Sequence, residues 1–369
     1  MTASKASPRV VWWIDHLGHG GSQKSLTQIV GYVSEIVSLQ AVIILNNVVD
    51  ALHLAELERM GVEVRVIGKG KLLTGVGIFE TWLWLRKKNF DISITFLFFS
   101  DIVGTLLSYT SGIKKLISSQ RSSNKHYSYF HILALRAILN LTNVIVLNSV
   151  SYREEVQHYL PKQVGIEVIP NGIKIPEYIQ SINKIRDELA INRSSLLIGT
   201  VGRLSSEKGL EIIFKAFSQS KHKDTQLLIT GSGPEKNRLE KLAITLGIDD
   251  RIHMIGFRSD IWSILSSLDL YVHASIFEGM PISVLEAIAV GCPIVASDSG
   301  GIRELITGPE HGWLVAQGDF IGLVAAIDNA LDHQEEARLR ASRALEHIKM
   351  NYSDQHATNN WQRLIQNVA

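Results

Sequence analysis

Short apolar runs alternate with longer segments whose apolar residues recur at helical spacing, and this rhythm continues along the whole chain. Residues 9–14, 40–45, 63–67, 92–96, 116–118 and 144–147 read as strands, with helices over 23–33 and 78–87. A second series starts at 196–201 and passes through 226–230, 252–254, 268–272 and 293–296, with a helix over 210–217. Strands that are apolar throughout and separated by helices are covered on both faces. The pattern therefore predicts βα units and parallel sheets. Residues 168–173 carry turn signals, 182–190 a short helix and 352–368 an amphipathic helix. The expected organisation is an α/β chain with a first Rossmann-like domain over 1–172 and a linker over 173–194. A second Rossmann-like domain covers 195–350, and a closing helix over 351–369 packs back towards the first. No solenoid-type repeat interrupts this order.

Composition narrows the class. The chain has 369 residues, 46% hydrophobic and 20% charged, which suits two domains with sizeable cores. Cys292 is the single cysteine, so no disulfide framework exists and a reducing compartment fits. No apolar run approaches the roughly 20 residues of a membrane helix. No apolar leader precedes the first strand, so a cytoplasmic protein is expected. The net charge of +1 hides an asymmetry: residues 1–184 carry 19 Lys and Arg against 13 Asp and Glu, the remainder 18 against 23. A basic first half points to an anionic contact, either a phosphate-bearing acceptor or the inner face of a membrane. Nucleic-acid binding has no further support.

Four loops carry candidate chemistry. Gly18-His19-Gly20-Gly21-Ser22 follows the first strand and opens a helix, where glycine amides approach a ligand and the helix start favours anions. It is not the dinucleotide fingerprint, because the G-x-G-x-x-G spacing is absent. Gly202-Arg203-Leu204-Ser205-Ser206-Glu207-Lys208-Gly209 follows the strongest strand of the second half. Arg203 by its fork and Lys208 as a point charge suit a diphosphate there. Gly231 and Gly233 free the backbone after the next strand. In Phe277-Glu278-Gly279-Met280-Pro281, Pro281 suits a first helical turn. Glu286 then falls inside an otherwise apolar helix, where an unpaired carboxylate is costly unless it binds something. Two carboxylates beside a phosphate site suit sugar hydroxyls.

Together these residues resemble glycosyltransferase family 4, a retaining group with the GT-B fold, in which two Rossmann-like domains face each other across a cleft. The likeness is strongest over 201–305 and looser over 1–170. It rests on Glu278 and Glu286 as an E-x7-E element, on Arg203 and Lys208, and on Gly20-Gly21-Ser22. Val168-Ile169-Pro170-Asn171-Gly172 and Val295 to Gly301 with Glu304 also follow the family pattern. The resemblance implies that Arg203 and Lys208 bind the donor diphosphate, Glu278 the transferred sugar and Glu286 the ribose. Gly20 and Gly21 would bring amides to the phosphates. Gly231, Gly233, Gly279, Met280 and Pro281 would complete the donor site, with Gly256, Phe257 and Arg258 near the base. Where many members carry a histidine, this chain has Arg121. Arg121, Lys125 and His126 are the acceptor-side candidates.

The expected activity is retaining transfer of a hexose-type sugar from a nucleotide-sugar, with a UDP-sugar favoured and a GDP-sugar as the alternative. The acceptor would be a glycan or a polyprenyl-diphosphate-linked sugar in cell-surface polysaccharide assembly, with peripheral contact to an anionic membrane. No Asp-x-Asp motif is present, so no metal and no further cofactor is expected. The rival readings are a GT-B nucleotide-sugar epimerase and a catalytically silent nucleotide-sugar-binding subunit.

Overall fold

A computed structural model describes residues 7–121, 127–157, 164–179 and 184–369. The chain forms two compact units, one of residues 1–172 with 355–369, the other of residues 173–354.

The first unit is a seven-stranded parallel sheet. Its strands are β1 (Arg9–Ile14), β2 (Leu39–Ile44), β3 (Glu63–Val66), β4 (Ile92–Phe96), β5 (Lys115–Gln120), β6 (Val144–Leu147) and β7 (Gly165–Val168). Their order is β3-β2-β1-β4-β5-β6-β7. Alternation along β1 sends Val10, Trp12 and Ile14 into one core and Val11 and Trp13 into the other, so a run with no polar break fills both faces. The closing helix Asp354–Val368 belongs to this unit, and its Trp361 packs on Trp12 with ring centroids 6.3 Å apart. Losing a buried indole of this kind costs about 3–5 kcal/mol.

The second unit is a six-stranded parallel sheet of β8 (Leu197–Val201), β9 (Gln226–Thr230), β10 (Ile252–Gly256), β11 (Leu270–His273), β12 (Ile294–Ser297) and β13 (Trp313–Val315). The order is β10-β9-β8-β11-β12-β13. Ile173, Ile185 and Ile191 lie in its core, so the described part of 173–194 is packed against this sheet.

The two-sheet α/β architecture is the expected one, with one strand more in each sheet. Strands β7 and β13 escape the sequence pattern for one reason. Each is the last strand of its sheet and is only partly buried, so it needs no continuous apolar run. In both sheets the strand order reverses beside the first strand, at β1/β4 and at β8/β11. The carboxyl ends of strands at such a reversal are where open α/β sheets take ligands.

Candidate functional site

At the carboxyl edge of the second sheet, backbone hydrogen bonds lock successive loops together. The Gly202 amide donates to Thr230 O at 3.0 Å and Leu204 to Ser232 O at 3.0 Å. Ile276 donates to Glu207 O at 2.8 Å and Gly301 to Gly279 O at 2.6 Å. Two glycines make this approach feasible. Gly231 has φ +142°, and a Cβ there would run into the Gly202 carbonyl. Gly300 has φ +53°, and its Cβ would run into the Glu278 carbonyl. The loops are thus a preorganised rim.

On this rim sits a charged network. Lys208 Nζ lies 2.6 Å from Glu278 Oε1, and His273 Nε2 is 3.1 Å from the same oxygen. The Glu278 side chain is only 10% exposed. Burial pushes its carboxyl up, but the Lys208 charge and the His273 hydrogen bond outweigh this and hold it well below the ordinary carboxylate range. Glu278 is therefore an anion with one oxygen engaged by two donors. Arg203 is exposed beside it and, among the described residues, forms no ion pair. Thr200, Gly202, Arg203, Lys208, His273 and Ser275 line one small pocket.

Glu286 is buried in the helix Ile282–Ala289. Pro281 is the residue that caps this helix rather than its first member, with Ile282 beginning it. Tyr271 is near both glutamates. Its hydroxyl bonds Ser283 and, at 3.3 Å, the Val201 carbonyl, and burial raises the phenol further above its ordinary range. Met280 is buried in the core of this unit, under the rim. Gly233 joins the rim through its tight approach to Leu204.

Arg258 is placed differently. Its guanidinium grips Glu188 at 2.7 and 3.1 Å and Asp260 at 2.8 Å, so its charge is balanced by two carboxylates. Gly256 and Phe257 precede it at the end of β10, Phe257 being partly exposed.

In the first unit, Gly20 and Gly21 are exposed at the start of the helix Gly21–Tyr32. Arg121, at the end of β5, is 8% exposed. Its Nη2 donates to Ser25 Oγ at 2.9 Å and to Asn171 Oδ1, and the guanidinium lies 5.8 Å from the centre of the Phe96 ring. Nε and Nη1 have no hydrogen-bond partner among the described residues. Burial lowers its pKa to about 10, which leaves it charged at neutral pH. Lys125 and His126 lie outside the described residues.

Sequence reasoning missed His273, Tyr271 and Asp101. The first two occupy alternate positions of β11 and stack at 6.2 Å, so period-two spacing just before the Glu278 loop was the available signal. Asp101 is buried and accepts from Thr95, Ser118 at 2.7 Å and Gln120 at 2.6 Å. Burial raises its carboxyl to about 7.

Two Rossmann-like parallel-sheet units, with a charged rim at the reversal of the second sheet, define the GT-B architecture. Residues 181–347, most of the second unit, match the family of glycosyl transferases group 1. The chain is 26% identical over 266 residues to the UDP-Gal:alpha-D-GlcNAc-diphosphoundecaprenol alpha-1,3-galactosyltransferase of Escherichia coli, covering 67% of this chain and 68% of the relative. It is 24% identical over 247 residues to the N-acetylgalactosamine-N,N'-diacetylbacillosaminyl-diphospho-undecaprenol 4-alpha-N-acetylgalactosaminyltransferase of Campylobacter jejuni, covering 66% and 65%. The crystal structure of Anabaena HepE in complex with UDP-glucose has a TM-score of 0.86 to this chain at 20% identity, covering 98% of this chain and 100% of that one.

Proposed function

We propose that the protein is a retaining glycosyltransferase of cell-surface polysaccharide assembly. It moves a hexose-type sugar from a UDP-sugar to a glycan or polyprenyl-diphosphate-linked acceptor. The observation that carries the reading is the Lys208–Glu278–His273 network beside exposed Arg203 on the rim of the second sheet. Arg203, the one uncommitted cation of that pocket among the described residues, is assigned to the diphosphate. Lys208 shares its charge between Glu278 and the leaving group. Glu278, held as an anion, accepts hydrogen bonds from the sugar through its second oxygen, and Glu286 does so from the ribose. The named activities of the Escherichia coli and Campylobacter jejuni relatives, both on diphospho-undecaprenol-linked sugars, support the acceptor class.

The proposed reaction is a same-face displacement. The bond from anomeric carbon to diphosphate oxygen breaks, the acceptor oxygen bonds to that carbon, and the acceptor proton passes to the departing phosphate. Arg203 and Lys208 stabilise the charge that develops there, so no metal is needed.

The test is transfer from UDP-glucose, UDP-galactose and UDP-N-acetylglucosamine to a synthetic lipid-diphosphate sugar, with the product's anomeric configuration read by NMR. Acceptor-dependent UDP release in EDTA, with configuration kept, is expected. Interconversion of the donor sugar without acceptor would make the protein an epimerase. Donor binding without transfer or hydrolysis would make it a silent subunit.

A further inference from the structure

We propose that the outer face of three adjacent helices in the first unit, Val76–Lys88, Phe98–Ser111 and Tyr129–Leu139, docks on an anionic lipid bilayer. The proposal extends the reading of a lipid-linked acceptor, but the surface stands on its own features. The three helices pack side by side on the sheet. Each buries an inner stripe, through Leu85, Leu107 and Leu135 among others.

Their outer stripes are apolar where a solvated helix would be polar. Val76, Phe79 and Leu83 are exposed on the first helix, at spacings of three and four. Phe99, Leu106 and Tyr109 are exposed on the second, with half-buried Ile102 between. Tyr129, Phe130 and Leu133 are exposed on the third, Phe130 by 78%. Single exposed apolar residues need no explanation, but three neighbouring stripes form a patch.

Charge selects the occupant. Each stripe ends in cations: Arg86 and Lys87 on the first helix, Lys114 just past the second, Arg136 on the third. None of these four forms an ion pair among the described residues, and Arg86 lies 4.9 Å from the centre of the Trp82 ring. The acids on these helices are spoken for: Glu80 pairs with Lys71, and Asp101 is buried. Asp91, the exposed acid beyond the first helix, accepts the Arg9 amide. Protein interfaces deplete lysine at their cores, whereas aromatic residues beside Lys and Arg suit the headgroup boundary of an anionic bilayer.

The test is flotation of the full chain with vesicles of phosphatidylcholine alone and of phosphatidylcholine with phosphatidylglycerol. The wild type should float with the anionic vesicles only, and less as salt rises. Neutralising three cations (R86Q, K87Q, K114Q) should lower partitioning about a hundredfold, near fivefold per lost cation. Replacing Phe79, Phe99 and Phe130 with Ser should abolish the salt-resistant part. All these residues are exposed, so melting temperature and transfer to a water-soluble acceptor should stay as in wild type. No flotation of the wild type at low salt, or equal flotation of all three proteins, overturns the proposal. So does a Phe-dependent dimer in solution without vesicle binding, which would make the face a protein interface. Flotation without any glycosyl transfer would instead defeat the proposed function and leave this surface standing.

Discussion

Each unit holds a cation at the carboxyl edge of its sheet, and the two are compensated in opposite ways. Lys208 of the second unit meets Glu278 at 2.6 Å, with His273 completing the set. Arg121 of the first unit is buried against the neutral oxygens of Ser25 and Asn171, with two of its nitrogens unpartnered among the described residues. The buried carboxylates repeat the contrast. Glu278 has a cation and sits below its ordinary range, while Asp101 has only hydroxyl and amide partners among the described residues and is raised to about 7. The second unit thus neutralises its own site. Among the described residues, the first unit gives its buried cation no carboxylate, and a buried charge without a counter-ion is costly.

The largest break in this contrast is Glu278→Ala. It leaves Lys208 and His273 facing each other without their shared acceptor and removes the sugar's proposed partner. Transfer kcat/KM should fall about 10³-fold, at the upper end for loss of a preorganised charged group. A loss below tenfold in steady-state assays would remove Glu278 from the site.

The two carboxylates should also give opposite pH slopes in stability. Asp101 has a folded pKa above its unfolded value of 3.8, so the native state binds the extra proton between about pH 4 and 7. It therefore costs stability as pH rises through that window, by up to about 4 kcal/mol. Glu278 is depressed, so its contribution is present above 4.5 and is lost as pH falls. Denaturant melts across this range should show Asp101→Asn gaining on wild type as pH rises from 4 to 7. Glu278→Gln should lose ground on wild type only below that window, as pH rises towards 4.5, and hold a constant difference above about pH 5. The same pH dependence in both variants would erase the distinction.

A smaller effect sharpens the contrast at Arg121. Arg121→Met removes an uncompensated buried charge while keeping volume. Stability should change by less than about 1 kcal/mol or improve. The acceptor KM should rise about tenfold, the worth of one charged hydrogen bond. Loss of several kcal/mol in the same melts would make Arg121 a structural pillar instead.

Legibility in the sequence followed burial. Strands β1, β6 and β9 were bounded to the residue because each is an apolar run flanked by polar or turn residues, and the bounds of β4 were matched as well although its apolar run continues past Phe96. The half-buried edge strands β7 and β13 were not seen. The helix Phe98–Ser111 was hidden because its apolar start continues β4 without a break. The boundary is a backbone event at Leu97, which takes φ +74°. Within the candidate site, the loops of Arg203, Lys208 and Glu278 announced themselves by glycine, proline and charge after a strand. That Lys208 and Glu278 share an ion pair across 70 positions was not written in either loop, since it depends on β8 and β11 lying side by side. His273 was masked by its place inside a strand. Arg121 was visible as a cation, but that no described carboxylate pairs with it is a property of the packed unit alone.

The central claim is that the rim of the second sheet binds a nucleoside diphosphate through Arg203 with Lys208. Calorimetric titration of UDP into the full chain in EDTA tests it most directly. The account predicts saturable binding by the wild type, weakened at least about tenfold in Arg203→Ala, whose exposed side chain leaves the melting temperature unchanged. Absence of UDP and GDP binding by the wild type, or wild-type UDP affinity in both Arg203→Ala and Lys208→Ala, would contradict it.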